Sequence, residues 1–219
     1  ITGSFTANGE TPYKVEHWQQ NLEDDGFTLA ETEELTGKTD TIATANPKTY
    51  TGFAFDESVE DTVASGNIAG DGSLVLKLYY TRNSYKVTYQ YTGKVPTGVS
   101  ELPAETTEKY GAAVTVAADA TAPGYTFSGW SREDGFTMPA ENVTITGSFT
   151  ANSNTEYTVR HHFQNILDDA YDADTAMLSE TLSGTTDTLT AAAAKTVAGF
   201  TAQSFQQKNI AGDGSTVVD

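Results

Sequence analysis

Three histidines are the side chains in this sequence best suited to acid–base or metal chemistry near neutral pH. They are His17, His161 and His162, and the first two occupy matching places in two similar segments. A catalytic triad or a zinc site needs several such groups converging from different elements. His161 and His162 are adjacent on one predicted strand, so they point to opposite faces. We therefore expect histidines bonded within their own modules. Cysteine is absent, which excludes a thiol nucleophile.

Carboxylates are abundant, with 30 Asp and Glu residues. The densest groups, residues 23–25 and 168–169, stand where turns are expected. A glycosidase needs two carboxylates across a cleft, so solvated turns are the favoured interpretation and surface calcium is the alternative. Two "AGDGS" segments, around Asp71 and Asp213, lack the spacing and closing Glu of an EF-hand. A type I′-like turn accounts for them better. We predict no catalytic residues, no metal site and no cofactor.

Two tryptophans and one lysine are the remaining candidates. Trp130 ends the segment "GYTFSGW" and is expected in a core. Trp18 lies on the polar face of its strand, where the second copy has His162, so it is a candidate for stacking on a sugar ring. Half-burial at a module junction is the other interpretation. Trp18 and His162 are thus the candidate ligand-binding residues. Lys77 is the lysine best placed for a self-formed isopeptide crosslink, but strand alternation turns it toward solvent.

The elements that carry these residues are repeated along the chain. Identical or related stretches recur with small changes of spacing, as expected when duplicated modules diverge in their loops. They are "ITGSFTAN" (1–8 and 145–152), "YKVEHWQQN" and "YTVRHHFQN" (13–21 and 157–165), "L-x-G-x-T-D-T" (35–41 and 182–188) and "NIAGDGS" (67–73 and 209–215). The predicted order is the last strand of a preceding B-type module (1–8), module A (9–83), module B (84–152) and module A′ (153–219). Module A′ is expected to be truncated in its final strand.

Residue patterns predict mainly β structure in each module. In module A, strands are expected near Tyr13–Trp18, Phe27–Leu35, Tyr50–Phe55 and Leu74–Thr81, because apolar residues alternate between Gly-rich turns. A short helix over residues 39–48 or 186–195 is left open, since Ala favours it while Thr and Pro oppose it. Strand 1–6, identical to residues 145–150, is expected either to dangle or to pair with an open edge on another molecule.

Module B carries a resemblance to a known family. Its alternating segments near residues 85–91, 112–117, 125–130 and 143–150 predict strands, and "PGYTFSGW" with "FTMPAENVTITGSF" resembles the Listeria–Bacteroides, or internalin-type B, repeat. Modules A and A′ resemble mucin-binding-protein-type repeats through "YKVEHWQQN", "YTGF" and "NIAGDGS". Both resemblances imply small β-grasp-like modules, mainly antiparallel with at most one short helix each, in bacterial surface adhesins. Short linkers favour an elongated rod.

The composition of the chain limits the classes of partner that it can bind. The net charge of −18 opposes binding to nucleic acid, and no apolar run is long enough to insert in a membrane. We expect an extracellular, Gram-positive surface location, with wall anchoring through a region outside residues 1–219, and a monomer. The expected function is a non-enzymatic adhesin stalk with weak contacts to host glycans or surface proteins. The alternatives are specific mucin or glycan binding and ancillary repeats of a large secreted carbohydrate-active enzyme.

Overall fold

The computed structural model describes residues 2–132, 135–171 and 178–219. These residues form strands and loops and contain no helix, which confirms the mainly β class. The strands are β1 (Thr11–Gln20), β2 (Phe27–Gly37), β3 (Ile42–Thr44), β4 (Phe53–Phe55), β5 (Ser65–Asn67), β6 (Val75–Arg82), β7 (Ser84–Thr92), β8 (Thr106–Lys109), β9 (Ala113–Val114), β10 (Tyr125–Phe127), β11 (Phe136–Thr137), β12 (Val143–Ala151), β13 (Thr155–His161), β14 (Leu178–Gly184) and β15 (Val217–Val218).

The chain divides into two compact units. The first comprises residues 1–88, 105–115 and 134–144, and the second comprises residues 89–104, 116–133 and 145–219. The division falls within β7 and β12, so the units do not follow the predicted module limits, and those limits remain predictions. No helix in the described residues is long and apolar enough to cross a membrane.

Module A is a four-stranded mixed sheet in the order β2-β1-β6-β4. β1 pairs antiparallel with β2 and parallel with β6, while β4 is antiparallel to β6. This arrangement, a hairpin followed by a parallel crossing to the last strand, agrees with the predicted β-grasp-like module. The alternation in β6 fixes its faces, because Leu76 and Leu78 are fully buried whereas Lys77 between them is not. Each such buried leucine contributes about 1.5–3 kcal/mol of hydrophobic stabilisation.

The stretch left open as a helix is extended instead. Ile42–Thr44 forms β3, which pairs antiparallel with β5. Ala43 and Ala45 are buried in the core beside Ile68, so a period of two, rather than helical propensity, decides the structure here. The equivalent segment 186–195 has no helix either. Tertiary packing of alternate alanines overrides their intrinsic preference for helix.

Module B contributes the sheet β10-β12-β7-β8 and a small ladder of β9 with β11. The predicted strand at 85–91 is β7, and the strand at 143–150 is β12. β9 and β10 are shorter than the sequence pattern suggested. Trp130 packs against Tyr89, Tyr91 and Phe127, with ring centroids 4.9 to 5.8 Å apart. Trp130 is half-buried in this ring cluster rather than fully enclosed, so it packs within module B but at the margin of the core.

Module A′ repeats the architecture of module A in the sheet β14-β13-β15. β13 pairs antiparallel with β14 and parallel with β15, as β1 does with β2 and β6. Gly52 and Gly199 end matching turns at φ of 79° and 85°, and the next residue donates its N–H to the carbonyl three residues back in both copies. Asp40 and Asp187 likewise share a left-handed conformation. The repeat assignment thus extends to unusual backbone conformations.

The segment that precedes module A departs from its expected structure. Residues 2–8 form no strand, and Phe5 is fully exposed, so the predicted strand at 1–6 is wrong for the described residues, which exclude Ile1. In β12 the same sequence is held by β7 and β10 on both sides. A strand whose neighbours are missing has no ladder hydrogen bonds to gain, so identical residues stay irregular here.

Candidate functional site

An aromatic patch made of Trp18, Phe27 and Tyr79 lies on one face of the module A sheet. The rings of Trp18 and Tyr79 stack with centroids 6.1 Å apart and an interplanar angle of 21°, and Phe27 meets Tyr79 edge-on at 4.9 Å. The three strands β1, β2 and β6 present these side chains to the same side. Burial raises the pKa of the Tyr79 hydroxyl. Tyr79 is buried, while Trp18 and Phe27 are half-buried, so the patch is a packed ring cluster with two partly exposed members.

Trp18 is half-buried in this patch. Its indole N–H donates to the Glu16 carboxylate at 3.0 Å, which fixes the orientation of the ring. A fixed aromatic ring beside an acceptor-bearing carboxylate is the type of surface on which a sugar ring can stack. Half-burial of Trp18, one of the two sequence-based interpretations, is therefore observed, and stacking of a sugar on the accessible part of the ring stays a prediction.

His162, the counterpart of Trp18, follows β13. Its Nε2 atom lies 3.3 Å from an Asp219 carboxylate oxygen, and its side chain is 15% exposed. Trp18 belongs to the first compact unit and His162 to the second, so each is a separate candidate. A ring paired with a carboxylate can bind a polar group, but it offers less stacking surface than an indole.

A buried histidine network connects His17, Glu33, Lys48 and Tyr80 in module A. His17 is fully buried; Nε2 lies 2.7 Å from Glu33 and Nδ1 lies 2.9 Å from the Tyr80 hydroxyl. The same hydroxyl accepts the backbone N–H of Lys48 at 2.9 Å. Its own proton is then free to go to Nδ1, so we assign the proton of a neutral His17 to Nε2, from which it is donated to Glu33. Every polar atom of the network is thereby satisfied.

The network has a copy in module A′. His161 Nε2 and Lys195 Nζ each lie 2.9 Å from the Glu180 carboxylate. Hydrogen bonds from Lys195 and His161 hold the pKa of Glu180 below its ordinary value, and the hydrogen bond from His17 does the same for Glu33. The expectation that the strand histidines are bonded within their modules is confirmed. Two copies of one ionic cluster indicate a structural role common to both modules.

The acidic turns use their carboxylates to hold the backbone. Asp24 accepts hydrogen bonds from the Asn21 side chain and the Gly26 N–H, which lower its pKa. Asp71 accepts hydrogen bonds from the backbone N–H and the hydroxyl of Ser73. In the second copy, Asp213 accepts a hydrogen bond from the backbone N–H of Ser215. In the two "AGDGS" turns, positive φ occurs at Gly72 and Gly214 and at neither preceding aspartate, so the predicted type I′ form is wrong. Among the described residues, no group of three potential ligands could hold a metal.

Glu33, Lys48 and their copies Glu180 and Lys195 are functional candidates that were not predicted from the sequence. The signal was available, because in both copies the glutamate stands six residues before the "T-D-T" segment and the lysine four residues before the "G-F" pair. The prediction considered only places where several acidic residues are close in sequence, and such places are mostly solvated turns. A carboxylate that recurs on an edge strand beside a buried histidine is the stronger pattern.

Comparison with known proteins supports the identification of module B. Residues 85–153 match the family described as the divergent InlB B-repeat domain, which confirms the internalin-type resemblance for that segment. No curated protein matches the chain. The resemblance of modules A and A′ to mucin-binding-protein-type repeats stays a prediction.

Among solved structures, the chain is similar to domains 3–4 of the Streptococcal High Identity Repeats in Tandem (SHIRT) from a cell surface protein. The identity is 17%, the TM-score is 0.22, and the match covers 63% of this chain and 96% of the other. The family match of module B is consistent with a repeat region of a bacterial cell-surface protein.

Proposed function

We propose that this chain is a non-enzymatic repeat region of a bacterial surface adhesin that acts as a stiff spacer. The observation that supports the proposal is the dense packing where one predicted module meets the next. Flexible linkers would let modules move independently, whereas hydrogen bonds and close ring contacts across a junction hold neighbours in one geometry. Each of the two junctions lies inside one compact unit.

The junction between modules A and B centres on Arg82 at the end of β6. Its guanidinium donates to the Gln20 carbonyl at 2.8 Å and to the Tyr110 carbonyl at 2.9 Å, and it lies 4.8 Å from the centre of the Phe53 ring. Tyr110 also packs edge-on against Phe53 at 5.8 Å. Arg82 therefore ties β1 of module A to a loop of module B.

Gly52 allows this junction to close. A Cβ built on Gly52 would lie 2.2 Å from the Tyr110 ring, whereas a Cβ on its copy Gly199 would meet nothing within 4 Å. Both glycines have positive φ, so the backbone requirement is the same in the two copies. The contact with Tyr110 is what distinguishes them.

The junction between modules B and A′ is equally close. A Cβ on Gly212 would lie 2.0 Å from the Pro123 carbonyl oxygen, while a Cβ on its copy Gly70 would meet only a Thr39 methyl at 3.4 Å. Thr186 donates its hydroxyl to the Gly124 carbonyl at 2.9 Å. Side-chain atoms are thus excluded where the two backbones touch.

A second contact between B and A′ is ionic. Lys94 and Tyr125 both bind one carboxylate oxygen of Asp187. The hydrogen bond from Lys94, followed by that from Tyr125, lowers the pKa of Asp187, while Asp187 raises the pKa of Tyr125. Asp187 sits at positive φ, which presents its side chain to module B.

The test compares Gly212→Ala with Gly70→Ala. We measure residual dipolar couplings of backbone amides in modules B and A′ in a weakly aligned sample. The parent chain and Gly70→Ala are expected to fit one alignment tensor for both modules. Gly212→Ala should need two tensors, because its methyl group cannot fit against Pro123. Separate tensors in the parent chain would refute the spacer proposal.

Gly52→Ala and Gly199→Ala form a matched pair for the other junction. Both substitutions place an alanine at positive φ and should destabilise their own turns by about 1 kcal/mol. Only Gly52→Ala should also uncouple module B from module A in the same dipolar coupling measurement. Equal effects from the two variants would show that the Tyr110 contact does not hold the junction.

Adhesion is the second candidate function, and the aromatic patch favours it. Specific recognition of mucin-type glycans or a host surface protein would use the partly open ring of Trp18. A glycan array with the purified chain tests this, with Trp18→Ala expected to lose binding and His162→Ala tested separately for module A′. A signal that Trp18→Ala leaves unchanged removes the patch from consideration.

The third candidate, ancillary repeats of a secreted carbohydrate-active enzyme, also leaves this chain without activity of its own. We expect no turnover when the chain is screened against glycans and peptides. Turnover that one carboxylate substitution abolishes would overturn the non-enzymatic assignment. Flanking protein sequence separates the stalk from the enzyme-associated role, because a wall-sorting motif or a catalytic domain would stand there.

A further inference from the structure

β2 is an edge strand of the module A sheet, because the order β2-β1-β6-β4 gives it a neighbour on one side only. It is eleven residues long, most of its residues are exposed, and it contains no proline. An edge strand presents a row of unpaired N–H and C=O groups to which another strand can bind. β2 therefore offers a long stretch of backbone to a second chain.

A bulge divides this edge into two parts. The β1 partners of Leu29 and Glu31 are adjacent residues, so Ala30 has no partner on β1. A bulge bends its strand and increases the local twist, which makes the first residues of β2 a poor template for pairing. Residues 31–37 follow the bulge in regular register, and we call them the open edge. Their length matches that of a typical strand, about five to six residues.

Alternate residues of the open edge point their backbone groups away from β1. The N–H of Lys14 donates to the carbonyl of Leu74, just before β6, so odd-numbered residues of β1, such as Val15, bond to β2. The partners of the even-numbered residues therefore point outward, and they are Thr32, Glu34 and Thr36. Within the described part of the chain, no backbone or side-chain group outside the ladder with β1 bonds to the backbone of β2.

The carboxylates of the open edge select the charge of a partner. Glu31 and Glu33 share one lysine, because Lys48 Nζ lies 2.7 Å from the first and 3.2 Å from the second. Glu34 lies 3.4 Å from Lys14, and its side chain is 78% exposed. Three carboxylates thus face two ammonium groups along one strand, and the excess negative charge favours a cationic partner.

Module A′ lacks this excess of charge on its own edge strand, β14. The register with β13 shows that the positions of Glu31 and Glu34 are taken by Leu178 and Thr181. The one glutamate of β14, Glu180, lies 2.9 Å from a lysine Nζ atom. The two modules therefore share an edge strand but differ in its charge, which provides an internal control.

We propose that the open edge is a binding site for an extended basic segment of a partner protein, which adds to the module A sheet as a fifth strand. The segment runs antiparallel to β2, since antiparallel pairing is slightly more stable, and its backbone bonds to the three outward-pointing residues. A second copy of β2 does not fit, because its glutamates would lie against those of the first copy. This inference goes beyond the spacer role and depends neither on that role nor on Trp18.

The side chains of the segment follow from the register. A basic residue lies opposite each of the three glutamates, and an apolar residue lies opposite Leu35, which is 38% exposed. Threonines lie opposite Thr32 and Thr36, because such cross-strand pairs are favourable. The peptide Thr-Val-Lys-Arg-Thr-Lys has this pattern when its first residue faces Thr36 and its last faces Glu31.

The experiment titrates the full chain with this peptide, capped at both ends, and follows amide hydrogen exchange by NMR. The outward amides of Thr32, Glu34 and Thr36 should exchange quickly in the chain alone. At a peptide concentration about ten times the dissociation constant, their exchange should slow about tenfold, because only the unbound fraction exchanges. The outward amides of β14, including that of Thr181, should exchange at an unchanged rate.

The matched peptide carries N-methyl groups on its first, third and fifth residues, which face the outward residues of β2. It keeps the charge and side chains but cannot form the ladder, so it should give no protection. In the chain, Thr32→Pro removes one outward N–H and should abolish protection, whereas Thr32→Val retains it and should bind as the parent does. Exchange of β6 amides reports whether Thr32→Pro is folded.

Equal protection by the two peptides would overturn the proposal, because general attraction to a chain of net charge −18 would then explain binding. The absence of protection at saturating peptide would overturn it as well. Protection of β14 equal to that of β2 would show that the glutamates of the open edge do not select the partner. The peptide comparison uses the unmodified chain, so it decides the question even where Thr32→Pro fails to fold.

Discussion

Tyr80→Phe tests the buried histidine network most directly. The hydroxyl accepts from the Lys48 backbone and contacts His17 Nδ1, both at 2.9 Å, and Tyr80 is fully buried. Phenylalanine keeps the ring and its packing against Tyr50, so the loss is polar. Leaving buried partners unsatisfied costs about 1–3 kcal/mol.

The adjacent Tyr79→Phe is the control. Tyr79 is 6% exposed, and its hydroxyl makes no hydrogen bond to the described residues, so the expected cost is within about 0.5 kcal/mol. Native-state hydrogen exchange of β1 and β6 amides reports module A alone. A loss of about 1–3 kcal/mol accelerates global exchange by about 5- to 140-fold. Equal exchange in the two variants would refute the account of His17 as a residue held by both of its nitrogens.

Two further outcomes follow from burial and charge. Leu78→Ala should lower the free energy of unfolding of module A by about 2–5 kcal/mol in urea titrations, while Leu29→Ala, at a position that is 42% exposed, should cost far less. Asp187→Asn should lower the melting temperature at neutral pH, because the folded state lowers the pKa of this carboxyl from its ordinary 3.8. That stabilisation is present above pH 3.8 and is lost as the pH falls through the lowered pKa, so the melting curves of Asp187→Asn and the parent should converge in acid.

Long strands with clear alternation were predictable from the sequence. β1, β6, β7 and β12 coincide with apolar periods of two, and the duplicated landmarks identified the copies of module A. Local patterns carry this information because burial of one sheet face selects it. The family resemblance of module B could also be predicted from the sequence, because its motif residues occupy turns and core positions, where local structure restricts the residue type.

Pairing partners were not predictable in the same way. Nothing in β1 itself states that it runs parallel to β6, because that depends on chain ends more than fifty residues apart meeting in the fold. The strand at 1–6 failed for a related reason: its residues match β12, but a strand exists only beside a neighbour. Ala43 and Ala45 favoured a helix in the prediction, but their packing in the core outweighs the helix propensity of alanine. The His17 network needed three strands in register before its residues could meet.

The parallel pairing of β1 with β6 has a mechanical consequence. The chain enters module A at the start of β1 and leaves at the end of β6, and these strands lie side by side in the same direction. A pulling force on the two ends therefore shears one strand along the other, and the paired positions from Lys14↔Val75 to Gln19↔Tyr80 share the load. An antiparallel hairpin pulled from its open end would lose its bonds one after another. Module A is built to resist tension.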